Sequence, residues 1–292
     1  MKLFSKLKRN ACLCVQAAFT ALTNGYALGF AKGKIYQGGS KQFCVPGLNC
    51  YSCPGAIGSC PIGSLQAVIG SKDFHVSFYV IGFLMIVGSL MGRFVCGWLC
   101  PFGLVQDLLH KIPGKKIKKV PGDRYLRYLK YIVLVVLVIG LPMLLTGVGG
   151  VGTPWFCKLL CPSGTLLGGI PLVAANPGLQ KTIGFLFGWK MGILVLIVVL
   201  SVLICRPFCR YLCPLGAIYG LFNRFSLYRL EVDMDKCTAC GKCRRNCGMD
   251  VKVWENPNSA ECIRCGKCVK ECPQGAIHST LSTLRKEPTK AE

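Results

Sequence analysis

Several chemistries are missing from this sequence. Its 292 residues hold no Gly-rich phosphate loop, no dinucleotide fingerprint, no Ser–His–Asp order and no C-x-x-C-H haem site. Nucleotide-driven, triad-type and c-type haem functions are therefore excluded as its own chemistry. No separate substrate domain stands out, so a partner must supply any terminal reaction. Acidic residues are scarce: 12 Asp and Glu face 35 Lys and Arg, a formal net charge of +23. Such a balance first suggests nucleic acid. The cations flank apolar runs instead, so no nucleic-acid partner is expected. Length and a hydrophobic content of 52% exclude a small secreted disulfide scaffold, despite 21 cysteines.

The apolar content predicts a multi-pass membrane protein. The basic start MKLFSKLKRN precedes a stretch from Ala11 to about Ala31 that lacks a small-x-small cleavage site and reads as an uncleaved first membrane helix. Residues 74–95, 128–148 (with a kink expected at Pro142) and 189–205 supply three more. Lys2, Lys6, Lys8 and Arg9 precede the first helix. Lys111, Lys115, Lys116, Lys118, Lys119, Arg124 and Arg127 lie between the second and third, and Arg206, Arg210, Arg224 and Arg229 follow the fourth. These segments should be cytoplasmic, leaving the opening loop and the 149–188 loop outside, although Lys32, Lys34, Lys41 and Lys72 lie there too. From Glu231 the chain turns polar and Cys-rich. The expected division is a membrane domain over 1–230, with repeats at about 11–112 and 126–225, a soluble cytoplasmic domain over 231–280, and a disordered tail over 281–292.

Residues 237–247 read CTACGKCRRNC and residues 262–273 read CIRCGKCVKECP, each C-x2-C-x2-C-x3-C. Three close thiolates on a tight turn reach three corners of one cubane, and the fourth, distant cysteine crosses to the other. Cys237, Cys240, Cys243 and Cys272 should hold one 4Fe-4S cluster. Cys262, Cys265, Cys268 and Cys247 should hold a second. Zinc is the alternative for any C-x2-C pair. Gly248 stands where this motif usually has Pro. The clusters are anionic, so the loaded protein is less positive than its formal charge.

Four further stretches share Cys-Pro-x-Gly: GSCPIG (58–63), CGWLCPFG (96–103), CKLLCPSG (157–164) and CRYLCPLG (209–216). Their order with the apolar segments reads as an internal duplication of a two-helix unit, with two motifs facing inward and two outward. Cysteines at i and i+4 share a helix face; Pro disfavours helix at the second, and Gly permits a sharp turn. Two thiols at a helix end are half of a four-thiolate site. Cys96, Cys100, Cys209 and Cys213 should form an inner site suited to 4Fe-4S or zinc. By the same symmetry Cys157 and Cys161 need outer partners. Cys60 aligns with Cys161, and Cys53, also followed by Pro, is the expected fourth; Cys44 and Cys50 either pair as a disulfide or take its place. The competing reading of all these cysteines is buried packing.

His75, Gln106, Asp107 and His110 lie near membrane boundaries and could handle quinone protons, with surface or capping roles as the alternative. Arg93, in an apolar run, could pair with a cluster or a lipid phosphate, or snorkel. Cys12 and Cys14 read as packing residues, and Cys205 as an alternative ligand.

At Cys96–Pro101, Cys209–Pro214 and Cys237–Pro273 the chain resembles the NapH-type membrane ferredoxins, and more broadly the membrane polyferredoxins, including a core shared with NosR-type proteins. The resemblance implies four membrane helices, cytoplasmic clusters, the prokaryotic inner membrane and a link to quinol oxidation. The fold it implies is an α-helical membrane bundle carrying a C-terminal α+β ferredoxin domain with two 4Fe-4S clusters. The cysteine-rich loops at 44–60 and 157–161 go beyond that pattern and suggest electron traffic to the outer face. The expected function is a relay between a quinone pool, or a cytoplasmic donor, and a redox partner protein; the alternative is an iron–sulfur reductase or assembly factor for a metal centre. A metal sensor or store without redox turnover is a third reading. The ~30 Å hydrocarbon core is far for one electron step. Either the sites are recessed into the bundle, or a quinone or another cofactor bridges them.

Overall fold

The computed structural model describes residues 11–70, 77–118, 120–145 and 153–281. Lys2, Lys6, Lys8, Arg9, Lys72, His75, Lys119, residues 146–152 and the tail from 282 lie outside the described residues.

Helices α1 (Ala11–Thr23), α2 (Ala27–Lys32), α3 (Pro61–Ile69), α4 (Ser77–Met91), α5 (Phe94–Trp98) and α6 (Pro101–His110) make up the first half. Asn24 ends α1 by donating from its side chain to the Thr20 carbonyl at 3.1 Å, so the expected first span breaks there and resumes as α2. The expected second span stops at Gly92, which has a φ of +54° and where a Cβ would stand 2.5 Å from Asn223 Oδ1, leaving no room for a side chain. Helices α7 (Asp123–Leu144) and α10 (Phe185–Leu203) are long and apolar enough to cross a membrane. Only 28% and 17% of their apolar windows are buried, unlike core helices of a soluble fold. Among the described residues α1 and α4 run 13 and 15 residues, shorter than the expected spans.

The kink expected at Pro142 takes a specific form. Residues Leu134–Gly140 of α7 wind as a π-helix ending two residues before Pro142. The widened turn eases the clash of the proline ring with the preceding turn. Helix α9 (Pro162–Ala175) repeats the device: its π turn Thr165–Gly169 ends two residues before Pro171.

Short α8 (Trp155–Leu159) and α11 (Pro207–Tyr211) precede Pro-headed α9 and α12 (Pro214–Phe222). Packing is crossed between the halves. Helix α6 lies on α10 of the second half, and α12 lies on α4 of the first. The opening loop, expected to face outward, dives into this bundle: Leu48, Asn49, Cys53 and Ala56 are buried.

The C-terminal domain holds an antiparallel pair, β1 (Leu230–Val232) and β2 (Ile277–Ser279), in register Glu231↔His278, with α13 (Lys242–Arg245) and α14 (Lys267–Glu271). It sits directly on the bundle. Trp98 Nε1 donates to the Arg264 carbonyl at 3.0 Å. The Asn223 side chain donates to the Ser259 and Cys262 carbonyls at 2.9 and 2.8 Å. Lys118 Nζ reaches the Arg245 carbonyl at 3.2 Å, tying the basic 111–122 segment to the same face.

Candidate metal centres

The two ferredoxin loops have one conformation. Ala239 and Gly241 in the first, and Arg264 and Gly266 in the second, all take positive φ. That left-handed winding brings three cysteines round one turn. Cys237, Cys240, Cys243 and Cys272 line one small pocket; Cys247, Cys262, Cys265 and Cys268 line a cavity of about 210 Å³. Each set draws on both motifs, and Cys12 and Cys205 line the larger cavity too. Burial pushes the Cys262 thiol up to about 11, against the Arg264 backbone N–H. Exposed Cys240 goes the other way, lowered by the Lys242 N–H. Backbone N–H groups directed at sulfur favour the thiolates that iron requires.

Gly248 departs from the usual Pro for a steric reason. A Cβ there would stand 2.5 Å from Cys205 Sγ. Cys205, the alternative ligand, packs against this backbone.

The Cys-Pro-x-Gly motifs form four equivalent helix starts. Cys60, Cys100, Cys161 and Cys213 are N-caps with extended ψ between 105° and 126°, each followed by Pro at the first helical position. Pro fits there because its missing N–H has no partner to lose. The glycines make no sharp turn, contrary to expectation: they are the third helical residue. At the third and fourth of these starts, Gly164 and Gly216 donate their N–H to Cys161 and Cys213 Sγ at 3.4 Å. The sulfur therefore takes the place of a capping oxygen at the positive end of a helix dipole.

Cys96, Cys100, Cys209 and Cys213 converge in the buried core, within mutual electrostatic range. Two arginines, each three residues before a first cysteine, clasp the opposite motif. Arg93 donates to the Cys209 carbonyl at 2.9 Å, and Arg206 donates to the Cys96 carbonyl. A Cβ on Gly216 or Gly103 would sit 3.2 or 3.3 Å from these guanidiniums, so the motif glycine also clears their path. Arg93 neither snorkels nor meets lipid: it is buried and bonds Ala260 O at 2.7 Å and Glu261 Oε2 at 3.2 Å. Burial alone would raise the Glu261 carboxyl; Arg93, Lys130 and Arg127 hold it below its ordinary value.

Of the two candidates for the fourth outer position, Cys50 and not Cys53 lines the shared cavity. Cys50, Cys60, Cys157 and Cys161 share a cavity of about 620 Å³. Cys53 points away, its thiol donating to Asn24 Oδ1 at 3.5 Å, because the Cys50–Cys53 turn and the Cys53–Ala56 turn aim the two thiols apart. Cys44 packs near Ser64, and no cysteine is disulfide-bonded. The Gly47 backbone lies against Cys100, where a Cβ would stand 3.1 Å from Cys100 Cα, so the short segment from Gly47 to Cys50 touches both the inner and the outer set.

Gln66 escaped the sequence reading, and Gln106, expected there to handle quinone protons or to cap, instead bonds a cysteine sulfur. Gln66 Nε2 donates to Cys157 Sγ at 3.4 Å while its Oε1 accepts the Phe156 N–H at 2.9 Å. Gln106 repeats this with Cys209 Sγ at 3.1 Å and the Phe208 N–H at 3.1 Å. The signal was available as C-P-x-G-x-x-Q at 60–66 and 100–106, facing F-C-x3-C-P-x-G at 156–164 and 208–216. Asp107 is tied to Arg206 at 2.5 Å, and His110 Nδ1 lies 3.2 Å from the Ser201 carbonyl. Cys12 donates to the Gly97 carbonyl at 3.0 Å.

Among the described residues no three His, Cys, Asp or Glu side chains close round a single ion. The ferredoxin and outer sulfurs line cavities, the inner sulfurs are buried in the core, and an all-thiolate donor set suits iron–sulfur clusters.

A family profile described as "4Fe-4S binding domain" matches residues 74–119 and again 186–230, and a second profile of that description matches 256–278. An uncharacterised protein of Methanocaldococcus jannaschii is 30% identical over 198 residues, 66% of this chain and 74% of its own. The methylamine utilization ferredoxin-type protein MauN of Paracoccus denitrificans is 30% identical over 56% of this chain and 50% of its own. The ferredoxin-type protein NapH of Haemophilus influenzae is 29% identical over 61% and 54%. The chain thus spans about half the length of these two bacterial relatives. No solved structure matches it.

Proposed function

Because the chain belongs to the NapH-type 4Fe-4S ferredoxin family, we propose that it is a membrane-bound electron-transfer protein linking a quinone pool, or a cytoplasmic donor, to a redox partner on the outer side. The observation that carries this reading is the continuity of the cysteine sets. Gly97, next to Cys96, packs on the Ile263 carbonyl beside Cys262, and the segment Gly47–Cys50 runs from the inner set to the outer one. When bound, 4Fe-4S clusters supply one-electron transfer. In this reading Cys237, Cys240, Cys243 and Cys272 hold one, and Cys247, Cys262, Cys265 and Cys268 a second. Cys96, Cys100, Cys209 and Cys213 hold a third, and Cys50, Cys60, Cys157 and Cys161 a fourth. The chain's task is then to bury the membrane sites, aim helix N-termini at their sulfurs and keep them close enough that the ~30 Å hydrocarbon is not crossed in one step.

The crossed packing and the reciprocal arginine clasps support a duplicated two-helix unit within a four-helix membrane domain over 1–230, with the ferredoxin domain over 231–280 in the cytoplasm. The outward-facing apolar side chains of α4, α7 and α10, such as Phe78, Leu144 and Phe185, support lipid around it. The test is reduction of anaerobically purified, lipid-embedded protein by a quinol analogue, followed by EPR. All clusters should reduce reversibly. Reduction of a metal ion by the pre-reduced protein, with no quinol response, would instead make it a reductase for a metal centre.

A further inference from the structure

We propose that Gln66 and Gln106 are positioning residues that set the reduction potentials of the two membrane sites, each through one N–H···S hydrogen bond. The inference rests on the reading that Cys157 and Cys209 ligate the groups bound there.

Both glutamines are fully buried. Each amide is satisfied in the same way. Its oxygen accepts the N–H of the phenylalanine preceding the cysteine, and its nitrogen reaches both that cysteine's sulfur and the carbonyl four residues back, Ile62 at 3.2 Å and Phe102 at 3.4 Å. This network fixes the amide orientation. A flipped amide would set its donors against the Phe N–H and its oxygen against sulfur and a carbonyl. A bland capping role would explain the Phe contact alone. It does not explain why the nitrogen points at sulfur in both halves of the chain.

The physical consequence follows from charge. A donor on a ligand sulfur stabilises the more negative, reduced state, so it raises the potential. The effect is larger in a buried site of low polarity than in water. Each glutamine touches one site only, so the two potentials can be set independently. Of each four-cysteine set, the sulfur so held is the one that follows Phe.

The experiment compares the anaerobically purified full chain with Gln66→Leu and Gln106→Leu, reading iron per chain, the EPR midpoint of each cluster, and exchangeable protons coupled to each cluster in deuterated buffer. Iron should be retained. Each variant should shift one midpoint downward, a different one for each glutamine, and should lose one strongly coupled exchangeable proton from that same cluster. If a Leu variant sheds iron, Gln106→Glu and Gln66→Glu carry the test, since they keep the acceptor for the Phe N–H; the same midpoint should fall. Full iron with all midpoints unchanged would overturn the proposal, as would one cluster responding to both changes. Wild-type protein holding only the two ferredoxin clusters would instead overturn the ligand reading on which the proposal rests.

Discussion

Gly248 shows how a single residue records a contact that its own motif does not. The ferredoxin spacing asks for Pro after Cys247, yet Cys205 from the end of α10 occupies that space, 2.5 Å from where a Cβ would lie and with its own Cβ at 3.1 Å. Gly248→Ala should therefore destabilise the docked ferredoxin domain by about 1–3 kcal/mol, the usual scale of overpacking. Adding Cys205→Ala, which removes the sulfur, should recover most of the loss. Thermal bleaching of the iron–sulfur absorbance measures both. Equal losses with and without Cys205 would show that the clash is not the cause. The same locality governs Asp107 and His110. Their partners, Arg206 and the Ser201 carbonyl, are supplied by other elements, so their proton-handling promise could not be judged from their neighbours in sequence.

Among the elements, the short helices on either side of each Cys-Pro junction do most of the positioning. Arg93 joins them to the ferredoxin domain through Ala260 and Glu261, while Arg206, likewise three residues before its cysteine, bonds Asp107, Cys96 and Gly97. The two arginines thus separate docking from motif geometry. Arg93→Met leaves Glu261 with fewer counter-charges in a buried setting, a loss of about 3–5 kcal/mol for broken buried pairs. Limited proteolysis should then release the 231–281 segment much faster than in wild type. Arg206→Met should leave that release rate near wild type. Equal release from both would mean that Arg93 has no special part in docking.

Across the molecule, the segment from Cys44 to Cys60 changes meaning once it is folded. It enters the bundle, lays Gly47 on Cys100 and delivers Cys50 to Cys60, Cys157 and Cys161. If these four hold a cluster, Cys50→Ser should lower bound iron from about sixteen to about twelve per chain, and Cys53→Ser should leave about sixteen. Iron analysis with EPR spin counts reads the difference. Loss on changing Cys53 and none on changing Cys50 would restore the order expected from sequence.

What the sequence determined by itself was the local chemistry. The doubled C-x2-C-x2-C-x3-C runs announce crossed ferredoxin sets, because three close thiols on one turn cannot complete a cubane without a distant fourth. The shared C-x3-C-P-x-G spacing set the Cys96–Cys100 motif beside that of Cys209 and Cys213 in the sequence reading. The apolar runs announced α7 and α10. What only the tertiary structure decided was every choice among near-equivalents. Cys50 rather than Cys53 enters the outer site because two tight turns aim their thiols apart. The motif glycines serve a helix's first turn and an arginine's path, not a sharp bend, because the opposing half of the chain fills the space beside them. Gln66 and Gln106 turn to sulfur because the Phe N–H each must satisfy comes from the other half of the chain. Spacing encodes which groups share a turn; contacts between residues 90 or more positions apart depend on how the crossed halves pack, and no local pattern carries that information.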